Sequence, residues 1–259
     1  MAIMAKYETV VIKIGSSTLT SEKSKLDVDN LRRIVSEIAD LKLKAIIVTS
    51  GAIVTGAERL GLKEKPKKLQ EKQAAAAVGQ SILMRQYEKA FEEYGITVAQ
   101  ILLTKDAIVD GERCVNARNT LTTLLRENVV PIVNENDTVA VDEIRVGDND
   151  TLSAYVATII KADLLVLLTD IDGFYMESDE GVDYKVSVVE EITKEVEDAA
   201  GHPGTQLGVG GMITKIQAAK IATAEGIPLV IADGRKKGVL KNIINEEKEG
   251  TIFLPKRKK

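Results

Sequence analysis

Histidine and cysteine are nearly missing from this chain: His202 and Cys114 are the only ones among 259 residues. A single cysteine rules out an intrachain disulfide and fits a reducing cytoplasm. A single histidine, in a loop beside Pro203, leaves Ser-His-Asp triads and zinc sites almost no material. No apolar run approaches membrane-spanning length, and residues 1–10 hold no long apolar segment of the signal-peptide kind, so neither a membrane partner nor export is expected. Charge of one sign is also lacking: 35 Lys plus Arg face 39 Asp plus Glu, a net −4 that argues against an obligate nucleic-acid partner. The one basic block, Lys256 to Lys259, reads as a solvated tail. Two nucleotide signatures are absent as well. No G-x-x-x-x-G-K-[ST] occurs, and no G-x-G-x-x-G follows the first apolar run.

What is present alternates. Thr9 to Ile14, Ala45 to Thr49, Ile96 to Leu103, Val129 to Val133, Leu164 to Leu168, Pro228 to Ala232 and Thr251 to Leu254 read as strands. Between most of them lie helical patterns. Leu31, Ile34, Val35, Ile38 and Leu41 recur at helical spacing behind a cap at Asp27 or Asp29. Residues 69–93, with Ala74 to Ala77, Leu83, Tyr87 and Phe91 as packing positions, form a second such pattern, and Cys114 to Glu127 a third. Residues 176–187 are polar and read as irregular; Ile192 to Ala199 and Met212 to Glu225 read as helices, with Val239 to Ile244 a short one. Alternation of this kind predicts an α/β fold with a mostly parallel sheet covered on both faces. No repeat, low-complexity linker or composition break appears, so one domain is expected over residues 1–259.

The stretch from Pro131 to Asp150 carries the strongest functional signal. An apolar run ends abruptly in Asn134, Glu135, Asn136 and Asp137. A hairpin is expected over Val139 to Val146, and Gly147 then leads into Asp148, Asn149 and Asp150, directly before the helical pattern Leu152, Val156, Ile159 and Ile160. Carboxylates and amides thus gather where strands end and a helix begins, the edge at which open α/β sheets bind ligands. Turn chemistry alone explains one such cluster. Two flanking a single hairpin point to a site.

A second constellation runs from Gly208 to Lys215. Its glycines let backbone N–H groups approach a ligand, and the helix that follows presents its positive end. Lys215 lies in that helix's first turn, where the dipole disfavours a cation unless an anion is bound. Lys13, late in the first strand, is the third element, because a lysine near a buried strand end usually meets an anion. Ser50 and Gly51 close the neighbouring strand with a small hydroxyl and bare backbone. Together these parts favour charge stabilisation over proton transfer, as phosphoryl transfer does.

Val11-Ile12-Lys13-Ile14-Gly15-Ser16-Ser17, Val48-Thr49-Ser50-Gly51-Ala52-Ile53, Asn134 to Asp137, Val146 to Asp150, Leu168-Thr169-Asp170 and Gly210 to Lys215 resemble, in order, the motifs of the amino-acid kinase family, and within it the glutamate kinases. The resemblance runs from about residue 8 to residue 254. It implies a three-layer α/β/α sandwich around a mostly parallel sheet of about eight strands. It implies ATP-dependent phosphorylation of the L-glutamate side-chain carboxylate to L-glutamyl 5-phosphate, the first step of proline synthesis, with Mg²⁺. By position, Lys13 and Lys215 would neutralise the transferring phosphoryl and Asp150 would orient them. Ser50, Gly51, Asn134, Asp137, Asp148 and Asn149 would hold glutamate. Lys13, Gly15, Ser16, Thr169, Asp170, Val209, Gly210, Gly211, Met212, Ile213, Thr214 and Lys215 would hold ATP, and no residue is assigned to a metal. The glutamate-binding part is expected mainly in 1–160 and the ATP-binding part mainly in 161–255. The resemblance also implies a homo-oligomer and proline as a feedback inhibitor.

Two departures stand out. Many relatives continue into a C-terminal PUA domain, and none is expected over the residues after Phe253 here. After Gly173 the chain reads Phe174, Tyr175, Met176, Glu177, where relatives more often have a Thr-x-Asp-Pro sequence, leaving open whether Tyr175 or Lys185 contacts adenine. Asp137 matches a free α-ammonium, so glutamate is preferred to N-acetylglutamate. The alternatives are another small-acid kinase of this fold, of the N-acetylglutamate or carbamate type, or a non-catalytic amino-acid or nucleotide sensor.

Overall fold

Strand residues of opposite parity feed two separate cores in the computed structural model, which describes residues 7–21, 25–62, 64, 66–104, 108, 111–139, 149–178, 181–201 and 211–255. In β1 (Thr9–Ile14) Val11 faces one core, while Val10, Ile12 and Ile14 face the other. The strand neighbours β2 (Lys44–Val48) and β5 (Leu164–Thr169) divide their residues the same way. Side chains alternate across a pleated strand, so a sheet buried on both faces needs continuous apolar runs, which these are.

The sheet has eight strands in the order β3-β4-β2-β1-β5-β9-β10-β8. Here β3 is Val98–Leu103, β4 Val130–Glu135, β8 Val188–Val189, β9 Leu229–Asp233 and β10 Thr251–Phe253. Every neighbouring pair is parallel except β9 with β10. The chain builds outward from β1 on one side through β4, then crosses to place β5 on β1's other edge. That reversal makes β1 and β5 the switch point of the sheet, and the crevice beyond their carboxyl ends the expected ligand site.

Helices cover both faces. One layer contains α2 (Val28–Leu41), α4 (Leu69–Glu92) and α9 (Val239–Ile244); the other contains α5 (Gly111–Arg126), α6 (Asn149–Ile160), α7 (Lys194–Gly201) and α8 (Gly211–Ala224). Two short helices, α1 (Ser16–Leu19) and α3 (Ala52–Arg59), follow β1 and β2 directly. Asp27 caps α2 by accepting from the Asn30 N–H at 3.0 Å, and Lys42 ends it in the left-handed conformation. Among the described residues no helix is long and apolar enough to cross a membrane.

The α3–α4 contact is unusually close. A Cβ on Gly56 would lie 1.7 Å from the Ala75 carbonyl oxygen, and one on Gly79 1.8 Å from that of Ala52. Of the alanine run in α4 only Ala75 and Ala76 are buried, whereas Ala74 and Ala77 are not. Four consecutive helical positions span more than one face, so the run could not pack as a block.

Residues 176–187 correct the sequence reading. Most of the described residues there are in strands: β6 (Phe174–Glu177) and β7 (Asp183–Val186) form an antiparallel ladder, and β8 follows at once. Val182 and Tyr184 are exposed, so the far arm of this ladder has no buried face to impose an apolar period. The hairpin expected over Val139 to Val146 lies outside the described residues beyond Val139, as do Asp148, His202, Val209 and Gly210.

Candidate active site

The carboxyl ends of β1, β2, β4 and β5 deliver the polar groups. Lys13 is the penultimate residue of β1 and is buried, with 6% of its surface exposed. A buried ammonium is tolerated only with a partner. Its partner is Asp150, in the first turn of α6, at 2.6 Å from Nζ to Oδ1. The other carboxylate oxygen accepts from Lys215 Nζ at 3.1 Å and from the Thr214 hydroxyl at 2.7 Å. Lys215 also donates to the Gly211 carbonyl at 3.1 Å, which fixes its ammonium over the start of α8.

Burial alone would raise the Asp150 pKa, but the charges of Lys13 and Lys215 outweigh it and hold the carboxyl down at about 2. Two ammoniums sharing one carboxylate leave a net positive charge in a poorly hydrated crevice. Such an arrangement seeks an anion. Gly15 lies against it, with its N–H bonded to the Leu168 carbonyl at 2.9 Å. A Cβ there would come 3.5 Å from Lys13 Nζ, so the bare backbone keeps the approach open.

Beside this trio is a cavity of about 270 Å³, lined by Ser16, Ser50, Gly51, Ala52, Ile53, Val54, Pro66, Lys72, Asn134, Glu135, Asp137 and Asn149. Gly51 takes φ 99° to turn β2 into α3 and bring its backbone to the cavity wall. An amide chain braces the floor. Gln80 Nε2 donates to Gln100 at 3.3 Å, Asn134 donates to Gln80 at 2.8 Å, and Asn149 donates to Asn134 at 3.0 Å. The Asn149 amide also reaches Ser50 Oγ at 3.0 Å and the Thr49 carbonyl at 2.8 Å. The clusters at the end of β4 and the start of α6 are thereby joined. Burial, with the negative charge of Glu135 adding to it, raises the Asp137 carboxyl to about 6.

On the other side of β1, Thr169 ends β5 and Asp170 follows it. The Ser17 and Thr169 hydroxyls both donate to Asp170 at 3.0 Å. Burial opposes ionisation of Asp170, but those hydrogen bonds, Ser17 first, lower its pKa overall. Asp172 accepts from Tyr175 at 2.8 Å and from Lys185 at 3.1 Å, so both residues in question after Gly173 belong to one exposed cluster at the base of the β6–β7 ladder.

The residues expected from the sequence therefore sort into groups. Lys13, Asp150, Thr214 and Lys215 meet in one bonded set. Ser50, Gly51, Asn134, Asp137 and Asn149 line one cavity, and Ser16, expected on the nucleotide side, lines it too. Met212 packs against the core and Ile213 is exposed, so neither joins the bonded set. Gln80, Lys72 and Ser17 stand at this candidate site without a role in the sequence reading. Glu135 carries a visible signal, as a carboxylate inside the Asn134 to Asp137 cluster. Gln80 carries none, since its partner Asn134 lies far along the chain.

The sequence pattern that describes the amino acid kinase family matches residues 8–233. The chain is similar to the glutamate 5-kinase of Clostridium acetobutylicum, with 51% identity over 261 residues that cover 98% of this chain and 97% of that protein. It is similar to the glutamate 5-kinase of Moorella thermoacetica at 52% identity over 260 residues, 98% of this chain and 68% of that one. Among solved structures, the carbamate kinase from Giardia lamblia bound to AMP-PNP superposes with a TM-score of 0.67 at 17% identity, covering 97% of this chain and 100% of that one. A UMP kinase from Bacillus anthracis gives a TM-score of 0.66 at 17% identity, covering 96% and 97%. At such identities the structural likeness concerns the fold alone.

Proposed function

This chain belongs to the amino acid kinase family, and from that premise we propose that it transfers the γ-phosphoryl of ATP to the side-chain carboxylate of L-glutamate. A γ-carboxylate oxygen forms the new P–O bond while the bond from the γ-phosphorus to the β,γ-bridging oxygen breaks. ADP leaves with the electron pair, and L-glutamyl 5-phosphate, the first intermediate of proline synthesis, remains. The observation that carries this reading is the buried Lys13–Asp150–Lys215 bridge beside a cavity of amino-acid size.

The acceptor is a carboxylate with a reference pKa of about 4.3, ionised at neutral pH, so no general base is required. That suits a chain with one histidine. The chemistry needs positioning and charge neutralisation instead. Lys13 and Lys215 bracket the transferring phosphoryl, and Asp150 holds both ammoniums in place without cancelling their combined charge. The Gly15, Ser16 and Gly51 backbones face the phosphates. Thr169, Asp170 and residues 209–215 hold ATP, in the part of the chain after residue 160; the Asp172, Tyr175 and Lys185 cluster lies on its adenine side. Glutamate is held mainly by residues before 160: Ser50, Asn134, Asp137, Asp148 and Asn149. Magnesium would enter bound to the nucleotide, and no side chain of this chain is assigned to it. When bound, that ion offsets charge on the β- and γ-phosphates.

Asp137 supplies the partner for a free α-ammonium, which an N-acetylated substrate lacks. Asp137→Asn is expected to raise the glutamate KM by about 10–100-fold, as loss of a charge-assisted contact does, with kcat little changed. Its raised pKa gives a second reading of the same pair. Below about pH 6 the carboxyl is protonated and cannot pair, so kcat/KM for glutamate should fall toward acid and level off above. Asp137→Asn should erase that limb. The linkage sign for stability is the reverse: because the ionised form is disfavoured in the fold, this group costs stability as pH rises from 3.8 through about 6.

A coupled assay with ATP and magnesium, comparing glutamate, N-acetylglutamate and carbamate, tests the assignment. Turnover favouring either alternative substrate would overturn it, and no turnover on any of them would favour a sensor. Proline, as the end product in a cytoplasmic pathway, is the feedback ligand to add to the same assay.

A further inference from the structure

Lys72 is the only cation among the described residues lining the glutamate cavity. It enters from the first turn of α4, while the carboxylates of Glu135 and Asp137 enter from the end of β4. Its neighbours are paired along the chain: Lys67 lies 3.5 Å from Glu64, and Lys68 3.8 Å from Glu71. Lys72 forms no ion pair with a described residue and is only partly buried. Two acids at one wall suit an α-ammonium. They repel the α-carboxylate attached to the same carbon, and a pocket holding only acids would select amines over amino acids. Lys13 and Lys215 do not line this cavity, and their surplus positive charge is held at Asp150 on the phosphoryl side. The start of α4 adds its own positive end to the place where Lys72 stands.

Building on the glutamate reading above, we propose that Lys72 binds the substrate's α-carboxylate, the carboxyl group that is not phosphorylated. It is thereby the residue that separates an amino acid from the corresponding amine. Glutamate is held at three points: its ammonium by Asp137, its α-carboxylate by Lys72, and its γ-carboxylate directed toward the two catalytic ammoniums.

The test uses 4-aminobutyrate, which is glutamate without its α-carboxylate, as alternative substrate and as competitive inhibitor against glutamate. Wild type, Lys72→Ala and Lys72→Arg are compared with ATP in saturating amount. Lys72→Ala is expected to raise the glutamate KM by about 10–100-fold with kcat within about threefold of wild type. The same substitution should change 4-aminobutyrate affinity by less than about threefold, so the preference for glutamate collapses. Lys72→Arg should recover part of it. Lys72→Gln, closer in shape, repeats the measurement should alanine disturb the start of α4. Equal weakening of both ligands, or an unchanged preference, overturns the proposal. A loss of kcat with KM intact also overturns it and moves Lys72 to the transferring phosphoryl. Wild-type turnover separates the two claims: if wild type does not turn over glutamate, the glutamate reading itself fails. If it does, and Lys72→Ala keeps its preference, only the role of Lys72 fails.

Discussion

Lys215→Ala is expected to lower kcat by about 10²–10³-fold, the usual loss for one preorganised group that stabilises transition-state charge. The glutamate KM should stay within about threefold of wild type, because Lys215 does not line the cavity proposed to hold glutamate. The fold should persist. Asp150 keeps Lys13 at 2.6 Å and the Thr214 hydroxyl at 2.7 Å, so no buried charge is abandoned. What changes is the sum: with Lys215 present the trio carries a net positive charge, and without it Lys13 and Asp150 cancel. An incoming phosphoryl then meets a neutral pair rather than a cation. Lys215→Arg should recover little, since a longer planar guanidinium would carry its charge away from the point where the compact ammonium meets both Asp150 and the Gly211 carbonyl. Steady-state kinetics at saturating ATP checks this. An unchanged kcat would remove Lys215 from the reacting oxygens.

Gly79→Ala should cost about 2–4 kcal/mol, at or above the usual range for overpacking. The added methyl would lie 1.8 Å from the Ala52 carbonyl oxygen and 2.5 Å from the Gly56 nitrogen. Both neighbours are backbone and cannot rotate away, so α3 and α4 must part. For a chain of this size the melting temperature should fall by roughly 5–15 °C. The damage should also reach catalysis. Ala52 to Val54 on α3 and Lys72 on α4 line the same cavity, and Gln80, next to the substituted position, braces Asn134. A raised glutamate KM should therefore accompany the lower melting point. Gly111→Ala is the control: a Cβ there meets nothing within 4 Å, and its effect should be within experimental scatter. Equal melting points for the two variants would mean that the α3–α4 contact is looser than described.

Legibility in the sequence follows the strength of the local signal. The strands β1, β2, β4, β5 and β9 are buried on both faces, so each stands out in the sequence as an unbroken apolar run. The Asp27 cap and the turn at Gly51 are readable for the same reason, since each depends on residues within one turn of chain. The polar clusters around Asn134 and Asn149 can be placed at one edge because both sit at a junction of strand or loop with helix. The 3.0 Å bond that joins them cannot. What escapes depends on distant partners or on the lack of a core. Gln80 is an ordinary polar residue on a helix until Asn134 meets it. Gly56 and Gly79, as letters in a helical pattern, only weaken it; in the fold they are the contact that lets two backbones touch. The β6–β7 ladder is largely exposed along β7, and periodicity has nothing to report there.

The crossing from β4 to β5 has a consequence for how the chain could be divided. Among the described residues, strands β1 to β4 lie on one side of the β1–β5 seam and β5, β8, β9 and β10 on the other. A cut in that short turn would give two fragments, the first holding Lys13 and Asp150 and the second Lys215. Neither fragment would hold the whole Lys13–Asp150–Lys215 bridge, so neither could transfer phosphate alone. Mixing them would restore turnover only as far as the central seam of the sheet re-forms.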